Sequence, residues 1–190
     1  MVMKSVFARP RPGLKNAAGR YGNILLSALV GLLLVGAIRT SAAHNDPVYT
    51  VSRVFDGDTV LVKGIDGKKT IRLLGIDAPE TSKGKGEPGQ PYSRKSQQHL
   101  AGLVLNHPVR LKVYGQDRYG RSLAVVYCNG QDVNLAMLQA GLAEVYRGRT
   151  PETFDKAPYL AAEEQARRSR TGMWRQGDAY VSPIRWKHPH

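Results

Sequence analysis

Cysteine is almost absent. Cys128 is the only one among 190 residues, so no intrachain disulfide can form even in an oxidising compartment, and stability has to come from packing. Cys128 lies in an apolar run, which marks it as a small buried hydrophobe rather than a reactive thiol. Acid is missing from residues 1–43, which carry Lys4, Arg9, Arg11, Lys15, Arg20 and Arg39 and neither Asp nor Glu. The run "ILLSALVGLLLVGAI" at residues 24–38 falls short of the roughly 20 residues a membrane span needs. No internal repeat is visible.

What stands there instead matches a secretory leader. The apolar run follows five positive charges, and Ser41-Ala42-Ala43 supplies a small-x-small cleavage site. The expectation is export, to the periplasm or beyond, with cleavage near Ala43. A membrane anchor retained over residues 22–38 is the alternative. The remainder divides into one domain over residues 44–176, large enough to bury its own core, and a tail over residues 177–190. Taking the six leading cations from the total of 28 leaves 22 basic groups against 15 acidic ones. That surplus favours a polyanionic partner such as nucleic acid, although a merely soluble basic surface would look the same.

Short β-rich stretches come first: "VYTVSRVF" (48–55), "TVLVKG" (59–64) and "TIRLLGI" (70–76), separated by the turn signals Asp-Gly-Asp and "GIDGKK". "SKGKGEPGQPY" (82–92) reads as a mobile exposed loop. Ser93 is placed to cap a helix to about residue 105. "VRLKVYG" (109–115) alternates Val109, Leu111 and Val113 inward against Arg110, Lys112 and Tyr114. After the turn "DRYGR" comes a fifth strand, "SLAVVYC" (122–128). Helices are expected over about 133–140 and 158–170. Five short strands with small helices describe a β-barrel with helical cover, an α+β arrangement. A disordered end is expected for the tail.

Asp58 and Asp77 each sit at the end of an apolar strand, where they can meet over a barrel rim. Oxygen ligands with no His or Cys nearby suit a hard cation, Ca²⁺ or Mg²⁺, rather than zinc. Pro79 pushes Ala78 toward an extended conformation, which can turn its carbonyl to the same ion. Simple Asx-turns remain open to both aspartates. Glu80, three residues beyond Asp77, is placed to orient a bound water or accept its proton. Arg72 interrupts an apolar strand, where a guanidinium is costly unless it is paired or meets an anion. With Arg121 it offers two forked donors for the non-ester oxygens of a phosphodiester; a carboxylate partner for Arg72 and a solvated Arg121 are the plainer alternatives. Arg72 and Asp77 differ by five positions, so on a flat strand they would face opposite ways. The site therefore requires a bend, and Gly75 is where it can occur.

"DGDTV" (56–60), "IRLLGIDAPE" (71–80), "DRYGRSLAVVY" (117–127) and "VNLAMLQAGLAEVY" (133–146), in that order, resemble the staphylococcal nuclease family. The similarity runs from about Val48 to Trp174. The resemblance implies an OB-fold, a five-stranded barrel with three α-helices, and Ca²⁺-dependent hydrolysis of DNA and RNA that leaves 3′-phosphate ends. Carried over by motif, Asp58, Asp77 and the Ala78 carbonyl would hold calcium. Arg72 and Arg121 would bind phosphate, and Glu80 would act on the water. Tyr119, Arg118 beside it, and Tyr146 would contact the nucleotide. Asp56 resembles a nearby acid that shapes the calcium site. A monomer is expected, meeting a membrane only if the leader stays attached.

Two other classes compete. Related domains elsewhere keep the barrel but lose these acids and arginines, acting as catalytically inactive nucleic-acid-binding modules. A basic membrane-surface protein would need none of the acidic motif.

Overall fold

In strand β1 (Val48–Val54), Tyr49 and Val51 turn inward while Val48 and Thr50 face solvent, the two-residue period of a half-buried strand. β1, β2 (Thr59–Gly64) and β3 (Gly67–Leu73) form an antiparallel meander. The computed structural model describes residues 48–82, 84, 86 and 88–188. The leader, its cleavage point at Ala43 and the anchor alternative lie outside the described residues. Among those described, no helix is long and apolar enough to cross a membrane.

β4 (Ile76–Asp77) follows a bend, and α1 (Ser93–Val104) follows the 82–92 loop. β5 (Pro108–Gln116) then pairs with β1, and β6 (Ser122–Cys128) with β5, both antiparallel. β6 also pairs in parallel with β3, matching Ile71 to Ser122, Arg72 to Leu123 and Leu73 to Ala124. That pairing closes the sheet into a five-stranded mixed barrel, the OB-like arrangement expected. Val51, Val60, Val62, Ile71, Leu73, Val109, Ala124 and Val126 fill it. Each fully buried aliphatic side chain contributes about 1.5–3 kcal/mol relative to exposure.

β7 (Gln131–Asp132) leads into α2 (Val133–Gln139), and β8 (Glu144–Val145) pairs antiparallel with β4. Asp132 caps α2 by accepting from the Leu135 amide at 2.9 Å, and its other oxygen accepts from the Tyr159 hydroxyl of α3 (Ala157–Arg168) at 2.8 Å. Asn134 is wholly buried yet satisfied. Its amide nitrogen donates to the carbonyls of Leu74 and Ala124, and its oxygen accepts from the Val126 amide, fastening α2 to the barrel. Cys128 is buried, and burial pushes its thiol up, as its apolar setting implies.

Several details differ from the sequence reading. Val113 does not point inward: the β5–β6 register shifts between Val113 and Gly115, Val113 is 55% exposed, and the intervening Tyr114 packs edge-on against Phe154 at 5.7 Å. Ser93 is the first helical residue of α1 rather than its cap; Tyr92 precedes it in a left-handed conformation. Gln90, at the end of the supposedly exposed loop, is only 3% exposed. Over residues 177–188 the tail packs on the domain rather than hanging loose. A 3-10 segment (Gly172–Ala179) and a fourth short helix, α4 (Pro183–Lys187), lie along the domain, because Tyr180, Val181 and Lys187 find partners on it.

Candidate functional site

The stretch "FDGDTV" splits its two acids by role. Asp56 closes the turn, its Oδ1 accepting from the Asp58 amide at 2.9 Å, while the Phe55 amide donates to the Thr59 carbonyl at 2.9 Å. With the turn held by Asp56, Asp58 is carried into the protein and is 1% exposed. Gly57 between them has no room for a side chain. A Cβ there would lie 1.9 Å from Ser96 Oγ of α1 and 2.7 Å from the Ala78 methyl.

Asp58 gathers donors from three directions. Oδ2 accepts from the Ala78 amide at 2.8 Å, Oδ1 from the Thr59 hydroxyl at 3.0 Å, and the carboxylate is ion-paired with Arg72. The same guanidinium reaches Asp77, Nη2 to Oδ1 at 2.6 Å. β3 ends at Leu73, and Gly75 turns the chain with φ +81° before β4 delivers Asp77. Gly75 also abuts the Phe154 ring, which would lie 2.4 Å from a Cβ. This is the bend that brings Asp77 back to the side Arg72 faces. Arg72 thus has the carboxylate partner its cost demanded, and those partners are the two candidate metal ligands.

Glu80 stands at the rim, its backbone locked to Gln90: the Glu80 amide donates to Gln90 Oε1 at 3.0 Å, and the Gln90 amide to the Glu80 carbonyl at 2.8 Å. Its carboxylate does not touch Asp58 or Arg72; Lys187 Nζ lies 2.9 Å from its Oε1. Lys187 also reaches Asp77, at 3.0 Å from Oδ1 and 3.4 Å from Oδ2.

Arg121 precedes β6 at the strand mouth beside β3. Its Nε donates to Asp117 Oδ2 at 2.7 Å within the 117–121 turn, so it is held half-buried rather than freely solvated. Arg118 donates to the Tyr119 hydroxyl at 2.7 Å, and both arginines of this turn lie over the exposed Tyr119 ring. Tyr146, exposed, follows β8, its amide donating to the Gly75 carbonyl at 2.9 Å. Among the described residues none of Arg118, Tyr119 and Tyr146 hydrogen-bonds to Asp58, Asp77 or Glu80. A cleft of about 890 Å³ opens beside Glu80, lined by Phe55, Thr81, Gln90, Tyr92, Arg94 and Lys95 among others.

Burial pushes the Asp56 carboxyl above its ordinary range, while Arg72, hydrogen bonding with Thr59 and the charge of Arg121 pull it back. Glu144 is a further buried acid, pushed up by burial despite the hydrogen bond it accepts from the Tyr180 hydroxyl; the neighbouring Asp77 charge adds to the rise.

The donor set fits a hard cation. Asp58 and Asp77 offer carboxylate oxygens and Ala78 a carbonyl, with no nitrogen or sulfur ligand between them. Among the described residues no three His, Cys, Asp or Glu side chains form a ready cluster, so a cation held there would need water or substrate oxygens to complete its shell. That a positive charge is welcome at Asp77 is evident from the Lys187 ammonium seated on it.

Thr59, Gln90, Glu144 and Lys187 were not legible as site neighbours. Thr59 and Glu144 sit within motif-bearing stretches, but Gln90 lies in the stretch read as a loop, and Lys187, 110 positions from Asp77, carries no local signal.

Residues 70–176 match the family model described as staphylococcal nuclease homologue, a span that includes Arg72, Asp77, Glu80 and Arg121 and begins after Asp58. An "uncharacterized endonuclease" of Haemophilus influenzae is 35% identical over 161 residues, 84% of this chain and 83% of that protein. A "probable endonuclease LCL3" of Phaeosphaeria nodorum is 42% identical over 110 residues, 55% of this chain, and the match spans only 37% of that longer protein. An "uncharacterized 38.1 kDa protein" of Capnoides sempervirens is 37% identical over 121 residues, 63% of this chain and 32% of that protein. By the family match and the near full-length similarity to the Haemophilus protein, the chain belongs to the staphylococcal nuclease homologue family.

Proposed function

We propose that the protein is an exported, Ca²⁺-dependent phosphodiesterase that hydrolyses DNA and RNA and leaves 3′-phosphate ends. The observation that carries this reading is the convergence of Asp58 and Asp77 on the single guanidinium of Arg72. It is supported by the family membership and by relatives whose names include endonuclease.

Asp58, Asp77 and the Ala78 carbonyl would hold the cation, which when bound neutralises phosphate charge and makes a neighbouring water more acidic. Glu80 takes a proton from the attacking water as its oxygen bonds to phosphorus. The bond from phosphorus to the 5′ oxygen breaks, and that oxygen takes up a proton from solvent water and leaves as a hydroxyl. A carboxylate is a weak base at neutral pH, so Glu80 works by position. Arg72 and Arg121 donate to the non-bridging oxygens and stabilise the charge added in the transition state. Arg118, Tyr119 and Tyr146 supply exposed ring and guanidinium surface for bases and backbone. Residues 1–43 direct export and are removed near Ala43, leaving a monomeric enzyme.

Incubating the protein with single-stranded DNA and RNA, with calcium or with chelator, tests the reading. Expected is cleavage with calcium only, giving ends that a 3′-extending polymerase uses only after phosphatase treatment. DNA retarded but uncut under both conditions would instead identify an inactive binding module. Sequencing the N-terminus of exported protein tests the leader; an intact Met1 in the membrane fraction would establish a retained anchor.

A further inference from the structure

The C-terminal tail occupies ground that belongs to the site. We propose that Lys187 is a tethered cation which competes with the metal for Asp77, so that tail docking and metal binding oppose each other. This rests on the cation site assigned to Asp58 and Asp77 above.

Tyr180, Val181 and Lys187 hold the tail in place. The Gln90 side chain, almost completely buried, accepts from the Glu80 amide and donates from Nε2 to the Val181 carbonyl at 2.7 Å, so one amide joins the Glu80 loop to the tail. The Tyr180 hydroxyl donates to Glu144, whose strand is paired with β4 directly at Asp77. Ser182 then starts α4, its Oγ accepting from the Arg185 amide and its carbonyl from the Trp186 amide at 2.9 Å. One residue on, Lys187 bridges Asp77 and Glu80, with its side chain 26% exposed. A loose surface lysine would have no such framework behind it.

Lys187 and a divalent cation cannot share Asp77 without cost. Two positive centres a few ångströms apart repel, the more so where protein displaces water, and both draw on the same carboxylate oxygens. With the tail docked, Lys187 and Arg72 offset part of the negative charge of Asp58, Asp77 and Glu80. A metal arriving at Asp77 must turn the ammonium out, and the tail loses one of its anchors. Because the two equilibria are linked, whatever the tail takes from metal affinity the metal takes from tail docking.

Calcium binding to the full chain, measured by titration calorimetry without substrate, tests this alongside amide hydrogen exchange over residues 180–188. Lys187→Met should bind calcium at least about fivefold more tightly than the parent, while Lys187→Arg, which keeps the charge, stays within about twofold of it. Saturating calcium should speed exchange in the 180–188 segment of the parent. Lys187 is partly exposed, so both variants should fold, which circular dichroism checks. Equal affinity in parent and Lys187→Met would remove the competition while leaving the cation site intact. Weaker binding in Lys187→Met would make the lysine a supporter of the metal and overturn the proposal. Absence of calcium binding in every variant would overturn both the competition and the calcium reading.

Discussion

The Ala78 amide donates to Asp58 Oδ2 at 2.8 Å, joining residues twenty positions apart and tying the turn before β2 to the chain leaving β4. The contact gives Asp58 a structural duty besides any ligand role. Asp58→Ala should shift the calcium titration of cleavage to higher concentration. It should also lower stability by about 1–3 kcal/mol, because a buried amide loses its acceptor and Arg72 keeps only one carboxylate. Denaturant midpoints and the metal titration measure the two effects separately. An unchanged titration would place the ion elsewhere.

Glu80 and Arg121 come from different segments and are proposed for different tasks, proton transfer and charge stabilisation. Glu80→Ala and Arg121→Ala should each lower turnover by at least about 10²-fold, the loss typical when one transition-state contributor is removed. Arg121→Ala also frees Asp117 from its 2.7 Å ion pair, so a folding check accompanies the rate. Near-parental turnover in a folded variant would strip the role from that residue.

Most of the barrel was legible because it is written locally. Alternating residues in β1, apolar runs in β2 and β6, and turn signals between them need no distant partner to be read. The bend at Gly75 was legible for another reason: an odd spacing between Arg72 and Asp77 puts them on opposite faces unless the strand breaks. Val113 was misread because periodicity carries no sign of a register shift against β6. Asn134, a polar residue at a core position, becomes intelligible only once the Leu74 carbonyl and the β6 backbone are beside it. The tail was misread for the same cause in stronger form. Its composition suggests a loose end, and its packing depends on Gln90, Glu144 and Asp77, all far away along the chain.

Gly75 combines a left-handed backbone with a ring pressed against its missing side chain. Gly75→Ala should cost about 1–2 kcal/mol from backbone conformation alone, and more because Phe154 must move. Thermal unfolding should show a lowered midpoint, and calcium affinity should fall with it, since the bend is what returns Asp77 to Arg72. A variant with parental midpoint and parental affinity would mean that the bend does not depend on glycine.

Glu144 should make stability depend on pH in a direction opposite to that of an ordinary paired acid. It is buried against Tyr180, with Asp77 and Glu163 adding negative charge nearby and Arg147 opposing them. Burial is the leading cause, and it raises the folded-state value above the ordinary value of about 4.5. The folded chain therefore holds this proton more tightly than the unfolded chain. Its contribution is fully present below about 4.5 and is lost as pH rises through the elevated folded value. Glu144→Gln keeps an oxygen for the Tyr180 hydroxyl and removes the buried charge. In denaturant titrations it should match the parent near pH 4 and exceed it at pH 7–8. A variant equally destabilised at every pH would show instead that the carboxylate is held by interactions its amide cannot replace.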